Sequence, residues 1–212
     1  MIVFPFKRVW GVIGATRSGK DSVAAYLKET RNFTPLAFSD QIKEEFGISK
    51  EEFEAAKNTN RIEALRKELW DFTARIKQSD PLHFVRGVMG KIEDTKTSVI
   101  VTDIRTEDEL AAFCKYRDAK LYRIIGRVSD YENGFIAGSK LSHSSSTLNS
   151  LIETGQMKMM NNTVDGLFYF YQYLDQFFYK EDIEDLFGRG DKKTLRDYLA
   201  QFNVTQRNNY ES

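Results

Sequence analysis

One short stretch, Gly14-Ala15-Thr16-Arg17-Ser18-Gly19-Lys20, constrains this chain more than any other. An apolar run from Val9 to Ala15 leads into it and reads as a buried strand. Helical spacing follows from Lys20 to Arg31, with Val23, Ala24 and Leu27 on one side. A strand, a glycine-bearing turn closing on Gly19-Lys20 and a helix make up the Walker A arrangement, the context in which such a loop holds phosphate. Glycines let the backbone wrap an anion so that several N–H groups point inward, and the helix adds its positive end. The residues expected to cradle the phosphates of ATP are therefore Gly14, Ala15, Thr16, Arg17, Ser18, Gly19, Lys20, Asp21 and Ser22. Lys20 would neutralise the outer phosphates.

The loop departs from the usual pattern at one place. Serine or threonine normally follows the lysine and holds magnesium; here Asp21 stands there and Ser22 comes one later. One residue along a helix turns a side chain by about 100°. Asp21 and Ser22 are thus alternative metal positions. A second acid competes with them. Val99-Ile100-Val101-Thr102-Asp103 is an apolar strand ending in an aspartate, and ligands of open α/β sheets bind at the carboxyl ends of strands. Asp103 is expected in the magnesium shell or at the acceptor; the plainer alternative is a cap for the helix that begins near Thr106.

The remaining pattern alternates strand and helix. Phe33 to Phe38 reads as a strand that Pro35 pushes to an edge. Ser39 or Asp40 can cap the next helix. Helical spacing then continues from Ser49 to Thr95, with Pro81 as a first-turn proline. A helix over Glu107 to Tyr116, strands at Leu121 to Gly126 and Met157 to Met160, and an aromatic helix over Val164 to Tyr179 complete the series. Residues 130–150 are rich in Gly, Ser and Asn. Alternation of this kind implies an α/β/α three-layer P-loop NTPase fold with a central parallel sheet. The domain expected is 1–180, with a helical acceptor-binding region at 39–96 and a lid-like segment at 127–150. A C-terminal helix and polar tail would occupy 181–212.

Composition excludes several classes. Lys plus Arg equals Asp plus Glu, 31 against 31, so no overall basic field favours nucleic acid. One cysteine and two histidines cannot build a disulfide framework or a Cys/His zinc site. Cys114 reads as a small buried apolar residue in a helix. No signal-type leader is expected, since Lys7 and Arg8 interrupt the apolar start, and the apolar stretch Leu167 to Tyr179 is too short to span a bilayer. A cytoplasmic protein without membrane partners is expected; a homodimer is left open.

The order of these motifs resembles the bacteriophage-type deoxynucleoside monophosphate kinases. The likeness is carried by the Gly19-Lys20-Asp21-Ser22 ending, by Leu36-Ala37-Phe38-Ser39-Asp40-Gln41-Ile42-Lys43, by Leu65-Arg66-Lys67, by Asp103-Ile104-Arg105, by Arg127 after a strand, and by His143 and Asn161-Asn162. It spans roughly Trp10 to Phe178. Ser146 stands where that family commonly has Glu, and proline is missing from the Asp40 to Lys43 stretch. The resemblance implies ATP and Mg2+ as donor and cofactor, and a small nucleotide, a deoxynucleoside monophosphate, as acceptor. It implies Lys20, Asp103 and Arg127 as catalytic residues. Lys43, Arg66, Asp103 and Arg105 would grip the acceptor. The departures keep two alternatives in view: a different phosphorylated or nucleotide-like acceptor, including a base within DNA, and a nucleotide-binding regulatory protein that performs no transfer.

Overall fold

The computed structural model describes residues 4, 6–14, 18–116, 118–125, 151–162 and 166–200. Ala15, Thr16, Arg17, Arg127, His143, Ser146 and the whole segment 127–150 lie outside them.

Five parallel strands form one sheet in the order β2-β3-β1-β4-β5. They are β1 (Val9–Gly14), β2 (Thr34–Leu36), β3 (Val99–Val101), β4 (Lys120–Ile125) and β5 (Met157–Asn161). The helices are α1 (Lys20–Arg31), α2 (Phe38–Phe46), α3 (Lys50–Ala56), α4 (Ile62–Ser79), α5 (His83–Asp94), α6 (Glu107–Phe113) and α7 (Leu167–Gly188), with α8 over residues 192–200. This is the three-layer α/β architecture expected from the alternation.

The central strand explains the layering. Trp10, Val12 and Ile13 of β1 are buried, so neighbours on opposite faces are both covered. On one face Ile13, Val99, Val101, Leu121 and Met157 pack with Val85, Val88 and Ile92 of α5 and with Leu110 and Phe113 of α6. Residues one step along the strands turn the other way. Trp10 meets Phe33 at 4.7 Å and Tyr122 at 5.4 Å between ring centroids. Gly11 is small for a packing reason. A Cβ there would lie 2.7 Å from Ile104 Cδ1 and 3.0 Å from Phe113 Cε1.

The helical region between β2 and β3 carries its own small core of Ala56, Leu65 and Leu69, joined by Ile42, Phe46, Phe53 and Ile62. Phe72 continues it towards α5, 5.4 Å from Phe46 and 6.2 Å from Phe84. Local signals set its boundaries. Ser49 and Glu52 form a capping box at the start of α3. Gly47, at φ 86°, closes α2 in the left-handed region that glycine tolerates.

Several local expectations shift. Residues 81 and 82 form a turn and α5 begins at His83, because His83 N donates to Asp80 O and the first helical bond runs from Arg86 N to Leu82 O; Pro81 is not its first helical residue. Cys114 is exposed at the C-cap of α6, not buried, because the helix ends one residue earlier and its apolar side is taken by Leu110 and Phe113. Neither Ser39 nor Asp40 caps α2, which starts at Phe38.

The chain divides into two compact units, Val3–Thr163 and Val164–Ser212. In the second, α7 runs unbroken through residue 180, so the boundary expected there falls inside a helix. Tyr198 Oη of α8 donates to buried Asp182 Oδ2 at 2.8 Å, and Tyr179 stacks on Tyr198. Of the aromatic series, Phe170 is buried, whereas Phe168 and Tyr169 are exposed. Among the described residues no helix is long and apolar enough to cross a membrane.

Candidate active site

The sheet order makes β1 the strand at which the chain changes direction: β3 lies on one side of it and β4 on the other. Such a reversal opens a crevice beyond the carboxyl ends of the strands. The register pairs Gly11 with Val101. Continuing the same offset brings Asp103 level with Ile13, one residue before Gly14. The phosphate-loop motif and the acid after β3 therefore emerge side by side.

Gly19 is the N-cap of α1 at φ 101°, a left-handed conformation suited to glycine. It has no side chain with which to cap the helix. Lys20 Nζ reaches back to the end of β1 and donates to Gly14 O at 2.9 Å. Burial pushes Lys20 below the ordinary lysine range; Asp21 opposes this, Arg105 adds to it, and Asp103 opposes it. Four residues singled out from the sequence thus share one electrostatic neighbourhood. Asp21 itself is exposed and Ser22 half-buried, while Val23, Ala24 and Leu27 form the buried side of α1 as the spacing required.

The loop is packed tightly from behind. A Cβ on Gly14 would lie 2.6 Å from Ser18 Oγ and 2.9 Å from Ile124 O. Ser18 is buried, and its hydroxyl has no hydrogen-bond partner among the described residues. From the other end of the sheet, Asn162 Nδ2 donates to Ser18 O at 2.9 Å, while Asn162 N donates to Ile125 O. Asn162 follows β5 directly, so the last strand secures the loop after the first. A desolvated lysine at the N-terminus of a helix that opens on glycine is a donor set that fits the phosphates of ATP.

Asp103 is 6% exposed and uses both carboxylate oxygens in an unforeseen way. Oδ1 accepts from Phe38 N at 2.6 Å and Oδ2 from Ser39 N at 2.9 Å. It caps α2, not the helix at Thr106. That helix is closed by its own capping box, in which Thr106 and Glu109 exchange side-chain bonds with each other's backbone. Glu109 does more than cap: its Oε2 accepts from Arg105 N at 2.7 Å and from Thr106 N at 3.0 Å. Burial raises its carboxyl above the usual range; the Arg105 amide bond opposes this, Asp103 adds to it, and the Thr106 amide and Lys77 oppose it. Arg105 projects from this anchored loop and is exposed.

The other expected acceptor residues are arranged less uniformly. Lys43 Nζ bonds Asp40 Oδ1 at 2.6 Å and sits 5.0 Å from the Phe53 ring. Arg66 is exposed on α4 and paired with Glu63 at 2.6 Å, the ordinary surface arrangement of neighbours one helical turn apart. Lys77, near the other end of α4, acts electrostatically on Glu109 and was not singled out from the sequence. Glu109 was missed too, although a Thr followed three residues later by Glu is a legible capping signal. Among the described residues no cluster of three or more His, Cys, Asp or Glu could hold a metal on its own. A cavity of about 410 Å³ lies away from this chemistry, between α5 and α6, lined by Val85, Met89, Ala112 and Tyr116 among others.

The fold and this loop define a P-loop kinase architecture. More narrowly, the chain belongs to the phosphomevalonate kinase family, whose model matches residues 12–119, half of the chain. The matched span contains the phosphate loop, α2, Asp103 and Arg105, and stops short of Arg127. No curated protein matches the chain in sequence. Among solved structures it is similar to TT1252 from Thermus thermophilus, at 14% identity and a TM-score of 0.48, covering 82% of this chain and 97% of that one. It is similar to a shikimate kinase from Acinetobacter baumannii, at 12% identity and a TM-score of 0.46, covering 84% and 95%. A gluconokinase from Sinorhizobium meliloti aligns at 14% identity and a TM-score of 0.36, covering 79% and 89%. The family assignment carries the P-loop kinase part of the resemblance drawn from sequence and leaves the deoxynucleotide part open.

Proposed function

We propose that this protein is an ATP-dependent kinase whose acceptor is a small phosphomonoester, with a deoxynucleoside monophosphate as the acceptor the motif order favours. The observation that carries it is the desolvated Lys20 held over Gly14 O, with Asp21, Asp103 and Arg105 in its field. In such a transfer an acceptor phosphate oxygen forms a bond to the γ-phosphorus as the bond to the β-phosphate bridging oxygen breaks. The electron pair leaves with ADP, and a diphosphate results. An acceptor oxygen that is already anionic needs no strong base. The site's work is placement and charge neutralisation.

Lys20 and the loop amides would hold the donor phosphates. Magnesium, when bound, would neutralise negative charge on the donor phosphates. Asp21, exposed beside Lys20, or Ser22 would hold it, directly or through water. Arg105, on a loop anchored by Glu109, would grip the acceptor phosphate with a two-pronged bond that lysine cannot copy. Lys43 would add charge from α2. Arg127 would close on the transferring group, and Arg66 would approach only by leaving Glu63.

A second reading has its own support. Membership of the phosphomevalonate kinase family favours a non-nucleotide phosphomonoester. Both readings end in the same bond, phosphate joined to phosphate. The experiment is an acceptor panel with labelled ATP: deoxynucleoside and ribonucleoside monophosphates, phosphomevalonate, and the unphosphorylated acceptors shikimate and gluconate. Diphosphate formation from a deoxynucleotide is the expected result. Turnover of phosphomevalonate alone selects the second reading. ATP binding without any acceptor-dependent ADP release refutes both.

A further inference from the structure

Helix α2 begins without a cap of its own. Ala37, its N-cap residue, has an extended backbone, φ −143° and ψ 141°, and a side chain that accepts nothing. The two amides that open the helix, those of Phe38 and Ser39, are instead satisfied by the carboxylate of Asp103, which lies 65 and 64 residues further along the chain. A negative group at a helix N-terminus also complements its dipole. Phe38 belongs to the same buried cluster as Val101, two residues before Asp103, and Ile104, the residue after it. The charged bond and the apolar contact therefore fix α2 at the same place, the carboxyl end of β3.

Asp103 also belongs to the loop that presents Arg105, and Glu109 holds that loop from its other end. Helix α2 carries the Asp40–Lys43 pair. One buried carboxylate thus couples the helix bearing Lys43 to the loop bearing Arg105, and it is Arg105 whose charge reaches Lys20. We propose that Asp103 is a positioning residue: it sets the spacing between the two acceptor-gripping cations and the phosphate loop, and it is not a metal ligand. The inference rests on the proposed phosphomonoester kinase reading for its kinetic consequence, though its structural half does not.

Asp103→Asn replaces one acceptor oxygen with an NH2 group, which cannot accept from a backbone amide. Amide hydrogen exchange at Phe38 and Ser39 should quicken by about tenfold or more, the scale of one lost charge-assisted bond. The acceptor KM should rise by a similar factor. ATP affinity and the magnesium concentration for half-maximal binding should stay within about twofold, since those rest on the phosphate loop. Rescue separates placement from ligation. Ala37→Ser, added to Asp103→Asn, supplies a local hydroxyl cap for α2 and should recover part of the exchange protection and of the acceptor KM. A shifted magnesium requirement in Asp103→Asn, with unchanged exchange at Phe38 and Ser39, overturns the proposal. So does a double variant that folds yet recovers neither quantity. If Asp103→Asn alone does not fold, the double variant is the test, and folding restored by Ala37→Ser supports the cap. If wild-type protein transfers nothing to any acceptor, the exchange and magnesium-dependent ATP-binding measurements still decide the positioning claim; that outcome sinks only the kinase reading.

Discussion

Replacing Gly14 by alanine introduces one methyl group at the most crowded point behind the phosphate loop. The new Cβ would lie 2.6 Å from Ser18 Oγ and 2.9 Å from Ile124 O, with Ser18 Cβ at an ordinary 3.4 Å. The Ile124 oxygen is backbone of β4, bound into the sheet next to β1 and slow to yield. Ser18 is buried, so its hydroxyl has little room to retreat. Overpacking of this kind costs about 1–3 kcal/mol. For a chain of this size each kcal/mol lowers the melting temperature by roughly 2–4 °C. The two contacts can be separated. Ser18→Ala removes the oxygen at 2.6 Å and leaves the one at 2.9 Å, so Gly14→Ala should cost at least ~0.5 kcal/mol less in that background. Urea denaturation of wild type, both single variants and the double variant gives the coupling directly, provided the slopes agree. Ser18→Ala by itself should be neutral or slightly stabilising, because it deletes a buried hydroxyl that has no partner among the described residues. ATP affinity should follow the same order, falling in Gly14→Ala and recovering partly in the double variant. If Gly14→Ala costs the same with and without the Ser18 hydroxyl, the packing argument fails.

Lys20→Met should reduce transfer by more than ~100-fold while leaving the fold intact. It should also raise the melting temperature of the nucleotide-free protein near neutral pH. Burial depresses the folded value of Lys20, so between that value and 10.5 the unfolded chain holds more protons and stability rises with pH. Melting curves of both proteins should therefore converge towards pH 10.5; a gap that widens instead refutes the assignment of burial as the cause. Arg105→Lys should raise the acceptor KM markedly with ATP affinity nearly unchanged, because lysine cannot reproduce the two parallel bonds of guanidinium; equal kinetics would reduce Arg105 to a surface charge. Asp21→Ala should raise the magnesium needed for half-maximal activity while ATP alone still binds, and an unchanged titration would move that role to Ser22.

The elements around the proposed donor site were legible in the sequence because their signals are local. Strand, glycine turn and helix lie within Val9 to Arg31, and each has a steric or dipolar reason that does not depend on the rest of the chain. Strand β3 and the Asp103 that follows it by two residues were readable for the same reason. What Asp103 touches was not, since its partners are amides of Phe38 and Ser39 and only the folded sheet brings them together. Asn162 is similar: the sequence offered it through resemblance alone, and its contact with Ser18 spans 144 residues. The residues proposed for the acceptor side suffered from a different ambiguity. Helical spacing places Arg66 on α4 but cannot say whether it faces a cleft or pairs with Glu63 in solvent, and the structure has it paired. Cys114 was misplaced by a helix end estimated three residues too long.

Strand β2 carries a consequence for how copies of this chain can meet. It is the outermost strand on its side of the sheet and only three residues long. Thr34 N donates inward to Ser98 O, and Leu36 O accepts from Thr102 N, so the residue between them directs its backbone outward. That residue is Pro35, which has no N–H to offer. A strand from a second molecule arriving at this edge would find a missing donor where the first ladder bond should form, together with too short a template to continue. The β2 edge is closed to sheet extension by its own covalent chemistry, so strand pairing between crowded copies should not propagate through it.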